Sequence, residues 1–180
     1  MNLTHAPRTA GGQAQLRRSG EADGRRWLAV YLNDHLAGAT GGLALCRRAA
    51  RAYPTQDAGV ELRRLAAEIS EDRETLVGLI RELGLPVRRY KIAAGWLAER
   101  AGRLKSNGRL ARRSPLSDLL ELEALLLGMR GKTLLWQTLR QITDHHPGLD
   151  PELLDRLAAN AERQADAVAD LRRAAAEVLT

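Results

Sequence analysis

Four polar residues, His35, Asp72, Glu123 and Gln164, stand where helical spacing calls for apolar ones. In the first stretch Leu28, Leu32, His35, Ala39, Gly42, Cys46, Ala49 and Tyr53 recur at steps of four and three. Leu62, Leu65, Ile69, Asp72, Leu76, Leu79 and Leu83 do the same in the second. A third stripe reads Leu116, Leu120, Glu123, Leu127 and Leu134, and a fourth Leu154, Leu157, Ala161, Gln164, Val168, Leu171 and Ala175. A polar group inside an apolar stripe costs roughly 2 to 7 kcal/mol if unpaired, so it is expected to have a partner. One such group on each of four helices points to a shared polar centre.

Two chemistries suit that centre. One imidazole and two carboxylates, from His35, Asp72 and Glu123, suffice for a single Zn, Mn or Fe ion, with water completing the shell and Gln164 behind it. Two metal ions would need more carboxylates than these helices provide, and Glu68 belongs on the flank. The preferred reading is a hydrogen-bonded plug, with His35 between Asp72 and Glu123 and Gln164 closing the network. Such a plug fixes register at some cost in stability. A third outcome leaves these residues partly exposed.

The elements that must position them follow from the same periodicity. The first helix is expected over residues 27–53, ended by Pro54, and the second over 58–83, capped by Gly84 and followed by Pro86. Few residues separate them, so they should pack antiparallel. Residues 85–115 form a long crossover with a shorter helix over 89–104, broken by Asn107 and Gly108. A further long helix is expected over 115–142 with Ser114 as its N-cap, and the last over 151–179 with Asp150 as N-cap and Pro151 at its first position. Counted from the turns at 1.5 Å per residue, His35 and Asp72 are offset by roughly 5 Å and Glu123 and Gln164 by roughly 8 Å, so one shared level is allowed.

Two helix pairs joined by one long crossover resemble the ferritin-like superfamily, across residues 27–179. The resemblance implies an antiparallel four-helix bundle. In that family a Glu from the first and third helices, and Glu-x-x-His motifs from the second and fourth, hold two iron or manganese ions. Here His35 stands at the first Glu position and Ile69-x-x-Asp72 at the first motif. Glu123 keeps the third position, while the last motif reads Ala161-x-x-Gln164. The resemblance therefore implies a degenerate member, with no cofactor expected or, alternatively, one divalent ion.

Composition agrees with an all-α domain. The 180 residues are rich in Ala, Leu, Arg and Glu and contain no Phe. Arginine outnumbers lysine 25 to 3, a coding bias that discounts any single arginine as evidence. Cys46 lies on a core stripe and reads as an inert buried thiol. Residues 1–24 read as a disordered tail before a bundle domain over 25–180, with neither a signal peptide nor a membrane span, so a cytoplasmic protein is expected.

Three other features carry weaker expectations. His145 and His146 lie beside Pro147 and Gly148, and a solvated turn is expected there. The patch Ala37-Gly38-Ala39-Thr40-Gly41-Gly42 is expected to admit a neighbouring helix or bulky side chains such as Trp136, or else to form a bulge beside a functional centre. Residues 88–113 carry a formal +8 against +6 for the whole chain. Their Arg100, Arg103, Lys105, Arg109, Arg112 and Arg113, with Tyr90 and Trp96, suit a solvated crossover, a protein partner's acidic groups, or weak nucleic-acid binding. No nucleic-acid-binding signature accompanies them. The functional expectation is thus a non-catalytic structural or interaction protein, with a protein partner or self-association. A mononuclear metal protein or enzyme is the first alternative, and a weak nucleic-acid or acidic-partner binder the second.

Overall fold

The first apolar stripe, continued backwards by strong helix formers such as Ala14, Gln15 and Leu16, makes a single long helix. In the computed structural model, which describes residues 10–53, 56–88 and 115–180, α1 spans Ala10–Ala52. Residues 1–9 of the expected disordered tail lie outside the described residues, and the helix starts well before the expected residue 27. Alanine, glutamine, leucine and arginine carry enough propensity there to offset Gly20 and Gly24. α2 spans Asp57–Glu82, α3 Pro115–Gln141 and α4 Pro151–Ala175. Short 3-10 turns follow α3 at Thr143–His145 and α4 at Ala176–Leu179, and no strand occurs among the described residues.

The helix ends are built as the sequence dictates. Asp150 accepts a hydrogen bond from the Glu152 backbone N–H at 2.9 Å, with Pro151 opening α4. Gly84 takes φ +63°, the left-handed cap conformation that glycine adopts without a Cβ penalty. Arg25 on α1 donates to the Leu83 and Gly84 carbonyls at 3.3 Å, closing the end of α2 from outside. In the first turn Gly59 is obligatory, because a Cβ there would sit 1.6 Å from the Tyr53 carbonyl oxygen. The expected cap Ser114, the short helix over 89–104 and the break at Asn107-Gly108 lie outside the described residues.

Two core layers fix the directions of the four helices. Leu32, Leu76, Leu139 and Leu154 meet in one layer. Cys46, Leu65, Leu125 and Val168 meet in the other. Following each helix from one layer to the other, α1 and α4 run one way and α2 and α3 the opposite way. α1 packs mainly on α2, α3 mainly on α4, and the two hairpins join chiefly through α1 and α3. α2 and α3 stand on the bundle diagonal. The chain leaves α2 at the end of the bundle where α3 finishes, so the end of α2 and the start of α3 lie at opposite ends of the bundle.

Two of the four expected stripes are the observed core faces. On α1 only Leu32, Cys46 and Ala49 of the expected stripe are buried, and Ala29, Asn33, Leu36, Leu43, Leu45 and Ala50 join them. On α2, Leu62, Leu65, Ile69, Asp72, Leu76 and Leu79 are buried, and on α4 Leu154, Leu157, Ala161, Gln164 and Val168. The α3 stripe is a correction. Leu127 and Leu134 are 66% and 60% exposed, and the buried face instead carries Leu122, Leu125, Met129, Trp136 and Leu139. α3 has leucine on nearly every side, so apolar spacing alone does not phase it.

Candidate functional site

Along the true α3 face, Leu122, Leu125, Met129, Lys132, Trp136 and Leu139 follow at alternating steps of three and four. Its polar member is Lys132, not Glu123. From this position the Lys132 ammonium reaches Asp72 Oδ2 on α2 at 2.6 Å, and it also donates to Gln164 Oε1 on α4. Gln164 Nε2 in turn donates to Asp72 Oδ2 at 3.3 Å. The side chains of Lys132 and Asp72 are only 11% and 9% exposed. Asp72 and Gln164 therefore meet as expected, brought together by a cation that the sequence reading passed over.

The other two expected members stand apart from this triad. Glu123 accepts from Arg172 Nε at 3.2 Å, in a pair whose side chains are about 40% exposed. His35 is half-buried, with its ring edge-on to Tyr31 at a centroid distance of 4.6 Å. Burial lowers the His35 pKa below its ordinary value, partly opposed by the charge of Asp34. Imidazole, not imidazolium, is thus the favoured form.

These placements bear on metal binding directly. The Asp72 carboxylate and the Gln164 amide are both engaged by the Lys132 ammonium. Among the described residues no three His, Cys, Asp or Glu side chains gather to hold a metal ion. The donor set does not fit the two-metal centre of the ferritin-like family. A cation already lies between the carboxylate and the amide.

Asn33 is a second residue that sequence reasoning missed. Fully buried on α1, it donates Nδ2 to the Ala29 carbonyl at 2.7 Å and to the Pro86 carbonyl at 3.0 Å. Its Oδ1 accepts from the Arg88 backbone N–H at 2.7 Å. It straps the chain leaving α2 onto α1. The signal lay in an asparagine interrupting a helical apolar stretch, where it competes with the backbone unless given partners.

Cys46 is buried, donates to the Leu62 carbonyl at 3.2 Å, and has its thiol pKa pushed up to about 12 by burial. That is an inert thiol. His145 is exposed and His146 half-buried in the turn after α3. The basic residues Arg100, Arg103, Lys105, Arg109, Arg112 and Arg113 lie outside the described residues.

A cavity of about 500 Å³ opens between α1, α2 and α3, with His35, Asp72 and Lys132 in its lining. Gly38, Gly41 and Gly42 of α1 and Gly128 and Gly131 of α3 also line it. A Cβ added at Gly38, Gly42, Gly128 or Gly131 would meet nothing within 4 Å. Within the expected patch Gly38 and Gly42 leave space open among the described residues, while Gly41 is buried. Each glycine costs roughly 1 kcal/mol of helix propensity against alanine, and at Gly38, Gly42, Gly128 and Gly131 no contact among the described residues offsets it.

No protein-family model, curated protein or solved structure matches this chain. No helix among the described residues is long and apolar enough to cross a membrane.

Proposed function

We propose that this chain is a non-catalytic bundle of ferritin-like topology that works as a structural or interaction protein, its polar centre held by a lysine instead of metal. The observation that carries this reading is the Lys132 ammonium 2.6 Å from Asp72 Oδ2, also bonded to Gln164. In the family that the topology resembles, metal cations neutralise the carboxylates of the bundle centre. Here one side-chain cation neutralises one carboxylate, and an amide completes the network. The helix directions, with α2 ending and α3 starting at opposite ends of the bundle, support the topological part. Leu127 and Leu134, exposed at heptad spacing on α3, support the interaction part.

The alternative, one divalent ion on His35, Asp72 and Glu123, requires Lys132 to withdraw and Glu123 to leave Arg172. Metal analysis of protein purified without chelator separates the readings. Lysine-filled protein carries far less than one Zn, Mn or Fe ion per chain, and stoichiometric metal overturns the proposal.

A further inference from the structure

Glycine in mid-helix is retained against its poor propensity when a neighbour needs the room, and at Gly38, Gly42, Gly128 and Gly131 no atom of the described residues lies within 4 Å of where an added methyl would stand. The space they leave, about 500 Å³, falls inside the range of roughly 300 to 1,000 Å³ typical of small-molecule sites between helices. Its walls are apolar, with Leu45, Ile69, Leu76 and Leu125 among them. Trp136, 1% exposed, completes one wall, and its indole Nε1–H has no acceptor among the described residues.

The charges around the cavity are not equivalent. Lys132 is matched by Asp72, and Arg48 by Glu121 at 3.0 Å. Asp34 is exposed and solvated. Arg73 is half-buried and donates its Nε to Thr40 Oγ1 at 3.0 Å, while its terminal nitrogens bond nothing among the described residues. The hydroxyl holds the guanidinium at the cavity and leaves its carboxylate-binding fork open.

We propose that this cavity binds a small amphipathic carboxylate, its apolar body lying between the glycine faces of α1 and α3 and its head group on Arg73. Asp72 and Lys132 of the lysine-filled centre line the same cavity, but Arg73 takes no part in their network. An apolar body suits walls with few polar groups, and a carboxylate matches Arg73, the lining cation that has no carboxylate partner among the described residues.

Isothermal titration of the full chain with decanoate, decanol and decylamine, each below its micelle concentration, tests it. Decanoate should bind saturably at one per chain, more tightly than decanol, with decylamine weakest. Arg73→Gln should weaken decanoate at least tenfold, to the level of decanol, and leave decanol unchanged. Gly42→Leu should abolish binding of both at undiminished helical circular dichroism. If that variant loses helicity, the Gly42→Ala/Gly131→Ala pair should still weaken both ligands. Decylamine binding as tightly as decanoate, an unaffected glycine variant, or no saturable binding would overturn the proposal. So would a wild-type dimer that Gly42→Leu converts to monomer without any decanoate binding, because a second copy would then occupy the cavity.

Discussion

Lys132 on α3 crosses the bundle diagonal to place its ammonium 2.6 Å from the Asp72 carboxylate on α2. These two helices barely touch otherwise, so the ion pair and Gln164 link elements that apolar packing leaves apart. Charge pairing at such a site is a poor source of net stability, since both ions give up water. Its value lies in register: a heptad slip of α3 would leave Asp72 buried and unpaired.

The energetic consequence is asymmetric. Lys132→Met strands a buried carboxylate and should cost about 3 to 5 kcal/mol in urea unfolding. Replacing both ions, as Lys132→Met with Asp72→Leu, should recover most of that loss, because an apolar pair of similar volume carries no desolvation penalty. A double variant no more stable than the single one would show that the pair is not buried in solution.

Glycine substitutions should separate into two classes by sign. Gly38→Ala, Gly42→Ala, Gly128→Ala and Gly131→Ala should each stabilise the bundle by about 0.5 to 1 kcal/mol, since no atom of the described residues lies within 4 Å of the new Cβ. Gly59→Ala should destabilise by about 1 to 3 kcal/mol, because its Cβ collides with the Tyr53 carbonyl. Thermal melts of the five variants check this directly.

Much of this architecture was legible because two stripes are phased by their polar flanks. α2 and α4 alternate charged and apolar residues so regularly that Asp72 and Gln164 could be placed inside before any coordinates. α3 was misphased because Leu116, Leu119, Leu120, Leu122, Leu125, Leu126 and Leu127 cover most of its circumference. Only the residues beyond Met129 reveal the true face, and Lys132 passed unnoticed because a lysine is seldom the polar member of a core stripe. The cavity was not legible at all. A glycine patch has the same sequence whether its space is filled by a neighbour or left open.

Acid should weaken the fold through His35. Burial lowers its pKa in the folded state below the ordinary 6.5, so the unfolded chain takes up the proton first as pH falls. The stability held above about pH 6.5 is therefore lost as pH drops from there towards the folded-state pKa, with a slope of at most about 1.4 kcal/mol per pH unit. His35→Gln should flatten unfolding free energies measured between about pH 7 and 5. An unchanged slope in the variant would assign the effect to other groups.

Asn33→Ala removes two donated bonds and one accepted bond at a fully buried position. A loss of about 1 to 3 kcal/mol is expected. The Arg88 amide should also exchange with solvent much faster, since its acceptor is gone, while amides in the middle of α2 keep their protection. Hydrogen exchange read residue by residue distinguishes this local release from general loosening.

The central claim is that a lysine holds the polar centre in place of metal. Metal content, measured on wild type and Asp72→Asn purified without chelator from cells supplied with iron, manganese and zinc, tests it most directly. Both proteins should carry well under one ion per chain, with no difference between them. One or two ions per wild-type chain, lost on substituting Asp72, would contradict it.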